Sequence, residues 1–125
     1  QKARRPVRRV ATTLDKVAAL LEQSSLAIGV DTGLLHIAAA VGTHWLGIFG
    51  PTNPDVTGPY DHRIGRGLVA PFPRGESCRT CWKSFKYEDD KCHSLELGAC
   101  TDFLDRRSVL IAACDMLPVA LPPQP

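Results

Sequence analysis

The sequence predicts an α/β fold, a parallel sheet flanked by helices, and three observations predict it. The short run 26–30 is nearly continuously apolar, as a strand buried on both faces should be, and 45–49 reads as the next strand. A segment of helical period lies between them. The 14 residues separating the runs are enough for the crossover of a right-handed βαβ unit.

Taken in order, the elements begin with a basic arm. Lys2, Arg4, Arg5, Arg8 and Arg9 put five positive charges in the first ten residues of a chain whose net charge is +2. The remainder is therefore acidic on balance. The chain opens on Gln rather than Met, so residues 1–11 are read as a basic arm or a cut edge. Such an arm seeks phosphate or an anionic membrane surface, or else is a solvated tail. Thr12 or Thr13 can cap a helix over 14–23, where Leu14, Val17, Ala18 and Leu21 follow the spacing of one buried face. Ser24 and Ser25 interrupt it before the strand 26–30.

Asp31-Thr32-Gly33 then marks a sharp turn. A second helix over 34–41 presents Leu34, Ile37, Ala38 and Val41 on one stripe, and Gly42 suits its C-terminal cap. The run 45–49 is the next strand. Beyond Gly50, the residues Pro51, Pro54, Gly58, Pro59, Pro71 and Pro73 read as a long loop with little periodicity. A Cys-rich loop over 71–105 follows. A closing helix over 106–117 has Val109, Leu110, Ala113 and Leu117 available for packing, and the Pro-rich tail 118–125 stops it.

Size and composition bound the reading. A chain of 125 residues can bury one core, not two. Its apolar fraction of 44% and charged fraction of 22% are those of a globular protein. No apolar run has the length of a membrane span, and no signal peptide is expected. A reducing compartment, the cytoplasm, fits that reading.

The chemistry concentrates in residues 29–60. Asp31-Thr32-Gly33 falls where the carboxyl end of a strand meets the N-terminus of a helix. Unpaired backbone N–H groups and the positive end of the helix dipole favour a phosphate there. Gly33 lets a ligand approach the backbone, Thr32 offers a hydroxyl, and His36 lies one turn deeper on the same side. A second turn, Gly50-Pro51-Thr52, leaves the carboxyl end of the neighbouring strand, where ligands of open parallel sheets bind. On spacing alone, Asp31 serves equally well as a helix N-cap and His36 as a structural histidine.

The ordered segments Gly-Val-Asp-Thr-Gly-Leu-Leu-His-Ile-Ala-Ala-Ala-Val-Gly (29–42), Phe-Gly-Pro-Thr-Asn-Pro (49–54) and Thr-Gly-Pro-Tyr (57–60) resemble glycosyltransferase family 9. That family includes the ADP-heptose:lipopolysaccharide heptosyltransferases. The resemblance covers residues 12–62 best. One departure is His44-Trp45, where the family usually has a proline near the strand start.

The resemblance implies a Rossmann-like, C-terminal half of a two-domain GT-B enzyme, with 12–117 as a partial nucleotide-sugar-binding domain. It implies donor contacts from Asp31, Thr32 and Gly33, support from His36, and a second wall at Gly50, Pro51 and Thr52. It also implies an inverting transfer of heptose to the lipopolysaccharide inner core that requires no cofactor. The general base is expected in an N-terminal acceptor domain, so no catalytic residue is assigned within these 125 residues. Lipopolysaccharide core as acceptor and peripheral contact with the inner membrane follow from the same likeness. Taken alone, the chain is expected to be inactive and to self-associate through an open sheet edge.

Cys78, Cys81, Cys92 and Cys100 supply four thiols, the first two at zinc-knuckle spacing. A structural zinc, free thiols and disulfides all remain open for them, and His93 could replace one ligand. Cys114 reads as a small buried side chain. Trp82, Phe85 and Tyr87 interleave with Lys83, Lys86 and Lys91, as on a nucleic-acid surface. Glu88, Asp89 and Asp90 neutralise that stretch, so no nucleic-acid partner is expected. Two alternatives stand beside the transferase: a zinc-stabilised binding module with a basic nucleic-acid arm, and a non-catalytic nucleotide-binding domain.

Overall fold

The computed structural model describes residues 7–69 and 104–117. The elements run α1 (Leu14–Glu22), β1 (Ala27–Val30), α2 (Gly33–Ala40), β2 (Trp45–Phe49), α3 (Pro54–Thr57), β3 (Gly65–Val69) and α4 (Arg106–Met116). The strands form one parallel sheet in the order β1-β2-β3. Ala27 pairs with Trp45 and Trp45 with Gly65, so the three strands start level and their carboxyl ends lie together. This is the α/β architecture that the two apolar runs predict.

Strand β2 is central, and Trp45, Leu46 and Phe49 are fully buried along it. Side chains alternate between faces of a strand, which sorts the core into two clusters. On one face Trp45 and Phe49 pack with Leu35 of α2, together with Ala39, Ile64 and Val69. On the other, Leu46 packs with Ala112 and Ala113 of α4, alongside Leu26, Leu68, Val109 and Met116. The sheet is therefore a middle layer, with α2 on one side and α4 on the other.

Close approach explains the composition of β3. A Cβ on Gly65 would run into the Trp45 ring, and one on Gly67 would meet Pro54 and the Phe49 ring. The two aromatic rings of β2 need glycines beside them. Trp45 is fixed further by its indole N–H, which donates to the Asp61 carbonyl at 3.0 Å. Thr43 is buried, and its hydroxyl donates to the Leu21 carbonyl at 2.6 Å, tying the end of α1 to the approach of β2. Gly42 has φ of 81° just beyond α2, the left-handed conformation expected of a C-terminal glycine.

Several sequence expectations change. Strand β1 is not buried on both faces: Ile28 and Val30 are about half exposed, because among the described residues β1 lies at the sheet edge and α4 reaches only part of that face. On α2 the buried residues are Leu35 and Ala38, while Leu34 is exposed, so the stripe is turned by one residue. On α4, Val109, Ala112, Ala113 and Met116 meet the sheet, leaving Leu110 and Leu117 exposed. That is the i, i+3, i+4, i+7 set counted from Val109. Helix α1 buries no residue and Leu14 is exposed. Cys114 is exposed rather than buried. The stretch read as loop after Gly50 contains α3 and β3.

No helix among the described residues is long and apolar enough to cross a membrane. Most of the basic arm's charge and the tail 118–125 lie outside the described residues, as do Cys78, Cys81, Cys92 and Cys100.

Candidate functional site

The carboxyl ends of β1 and β2 open into the two turns that the sequence singles out. Thr32 is the N-cap of α2, with extended backbone (φ −144°, ψ 162°), and its side chain makes no capping hydrogen bond. Asp31 is therefore not the cap. Its Oδ2 instead accepts a hydrogen bond from the Thr57 hydroxyl at 2.9 Å. That bond spans 26 residues and joins the turn after β1 to α3.

The start of α2 has spare donors. Leu35 N–H donates to the Thr32 carbonyl at 3.0 Å, and among the described residues the N–H groups of Gly33 and Leu34 find no acceptor. A Cβ on Gly33 would meet nothing within 4 Å, and its φ is not positive. Neither packing nor backbone strain requires a glycine there. The space in front of it is open, so a ligand can reach the backbone. His36 is exposed one turn further along the helix.

On the second turn, Gly50 is buried, while Pro51 and Thr52 are partly exposed. Asn53 then caps α3, its Oδ1 accepting from the Asp55 N–H at 3.0 Å, with Pro54 at the first helical position. The Asn53 carbonyl takes the N–H groups of Val56 and Thr57, both at 2.9 Å. Gly58 is pressed against the Pro54 carbonyl and leaves no space for a Cβ. This single turn is thus held at both ends, which fixes where Thr57 stands.

The structure brings Asp31, Thr32 and Gly33 to the same sheet end as Gly50, Pro51 and Thr52, with His36 on the helix that rises from it. It adds Thr57, which sequence reasoning placed within a motif and not within the site. The available signal was the order of the motifs, with the third beginning at Thr57.

A shallow hollow lined by Tyr60, Asp61, His62 and Arg63 lies elsewhere. Asp61 and His62 sit beside Trp45 at the opposite, amino end of β2. Its charges are already paired. Arg63 donates from Nε and from its backbone N–H to Asp61 Oδ1, both at 3.0 Å, and from its second terminal nitrogen to Oδ2 at 2.9 Å. Those bonds, the guanidinium first, hold the Asp61 carboxyl down to about 2. Among the described residues no group of three or more His, Cys, Asp or Glu side chains could hold a metal ion.

Comparison with known proteins places this chain in a family. The profile of glycosyltransferase family 9 (heptosyltransferase) matches residues 10–81, which takes in both turns and Thr57. Lipopolysaccharide heptosyltransferase 1 of Pseudomonas aeruginosa is 41% identical over 71 residues, 57% of this chain and 19% of that protein. Lipopolysaccharide heptosyltransferase 2 of Escherichia coli is 35% identical over 52 residues, 42% of this chain and 15% of that protein. The matched stretch thus spans a fifth or less of these relatives. No solved structure matches the chain. With the family's profile covering more than half its length, the chain belongs to glycosyltransferase family 9.

Proposed function

We propose that this chain is the donor-binding portion of a glycosyltransferase that moves heptose from ADP-heptose to the inner core of lipopolysaccharide. One observation carries the reading: two turns meet at the carboxyl end of a parallel sheet, closed by the Asp31–Thr57 hydrogen bond beside the unengaged N–H groups of Gly33 and Leu34. The names of the relatives support the sugar and the pathway.

In this reading the N–H groups of Gly33 and Leu34 and the positive end of α2 take the diphosphate. The Thr32 hydroxyl, free of capping, adds a donor. Asp31 accepts from hydroxyls of the donor sugar, and His36 supports the turn from the next helical layer. Gly50, Pro51 and Thr52 form the opposite wall. As the bond from the anomeric carbon to the diphosphate breaks, negative charge grows on the leaving oxygen. Fixed N–H donors stabilise that charge without reorganising. This chain's turns require no metal for the step.

The acceptor hydroxyl attacks from the face opposite the leaving group, which inverts the anomeric centre. The base that removes its proton belongs to an acceptor-binding domain preceding these residues. The site works on the cytoplasmic side of the inner membrane, where the arm's positive charges meet anionic lipid.

The test is sugar transfer from ADP-heptose to a heptose-deficient lipopolysaccharide core, followed by mass. This chain alone is expected to transfer nothing, and the chain joined to its acceptor domain is expected to add one heptose. Turnover by these 125 residues alone, or no transfer by the joined protein, would contradict the assignment.

A further inference from the structure

We propose that Thr57 is a positioning residue for the donor sugar: its hydroxyl fixes the Asp31 carboxylate so that Oδ1 faces the ligand. The inference rests on the donor-binding reading above and adds a residue to it. Thr57 Oγ1 stands 2.9 Å from Asp31 Oδ2 and 3.2 Å from the Asn53 carbonyl, and both bonds call on one hydroxyl proton. The shorter bond goes to the charged acceptor, which is the stronger of the two.

The donor is held firmly. Asn53 caps the turn, Pro54 restricts its first residue, and the Gly58 N–H closes onto the Pro54 carbonyl at 2.9 Å. Pro54 also packs against Gly67 of β3. Asp31, by contrast, has Thr57 as its only side-chain hydrogen-bond partner among the described residues. Without that bond the carboxylate is free to rotate about its side-chain torsions, and a sugar hydroxyl must order it on binding. An aspartate ordered in advance binds without that cost.

The role separates two ligands. The diphosphate meets backbone donors of α2, whereas the sugar meets the carboxylate. Thr57→Val removes the hydroxyl at nearly constant shape. It is expected to weaken ADP-heptose binding to this chain about ten-fold, the scale of one hydrogen bond to a charged group. ADP binding should stay within two-fold of the parent, roughly the scatter expected when no contact is lost. Thr57→Ser restores the hydroxyl and should recover ADP-heptose affinity.

The measurement is calorimetric titration of the parent chain and both variants with ADP and with ADP-heptose, with melting temperatures recorded alongside. Selective loss of ADP-heptose in the valine variant, with recovery in the serine variant, supports the role. Equal loss of both ligands, or no loss of either, overturns it while leaving the donor site standing. A parent chain that binds neither nucleotide overturns the donor-binding reading itself, and Thr57's role falls with it.

Discussion

Asp31→Ala, in a protein that joins this chain to an acceptor domain, is expected on the donor-binding proposal to lower sugar transfer about a hundred-fold or more. A preorganised polar group at a reacting centre lowers the barrier by roughly 3 kcal/mol. The fold should lose far less. Asp31 is half-buried and contributes one side-chain hydrogen bond, that from Thr57. Removing such a bond costs about 1 kcal/mol. Asp31→Asn separates charge from geometry, since its amide oxygen still accepts from Thr57. It should melt close to the parent and still transfer poorly. The check is kcat/KM for ADP-heptose set beside the unfolding midpoint. Normal turnover in Asp31→Ala would reduce Asp31 to a structural partner of Thr57.

Trp45→Ala is expected to unfold the chain or nearly so. The indole is fully buried at the start of the central strand, lies against Gly65 and packs in the cluster with Leu35 and Phe49. Truncating a buried aromatic costs about 3–5 kcal/mol, and its cavity cannot close while β1 and β3 hold the strand on both sides. Domain stabilities are only about 5–15 kcal/mol in total. The Asp61 carbonyl would also lose its donor. Trp45→Phe keeps most of the packing and loses the N–H, so its cost should be about 1–2 kcal/mol. Urea unfolding followed by circular dichroism checks both. A Trp45→Ala chain as stable as the parent would mean that β3 does not pack on β2 as described.

What was legible in the sequence was local. The strand 45–49 and the Gly42 cap are legible because apolar continuity and a glycine after a helix are signals carried by neighbouring residues. Helix α2 illustrates the limit. Residues 33–40 read GLLHIAAA, apolar nearly all round, so the choice between Leu34 and Leu35 as the buried residue depends on where the sheet lies. Strand β3 was illegible for a different reason. GRGLV has neither alternation nor β-branched bulk at its start, and its glycines answer to rings on another strand. The edge position of β1 likewise depends on strand order, which two apolar runs do not encode.

The candidate site divides in the same way. Asp31, Thr32, Gly33 and the Gly50 turn are legible as candidates because strand-to-helix turns with polar residues carry their chemistry in consecutive positions. Thr57 is not legible as a partner of Asp31 because 26 residues separate them and only the folded α3 brings the two together. Between N-cap and ligand group, the sequence left Asp31 open. The structure removes the N-cap role by giving it to Thr32.

The most direct measurement is a titration of this chain with ADP, followed residue by residue through backbone amide chemical shifts. A diphosphate seated on the turn after β1 predicts the largest movements at Thr32, Gly33 and His36, with Gly50 and Thr52 next. Shifts confined to the basic arm, or to Tyr60–Arg63 at the far end of the sheet, would contradict a donor site at these turns.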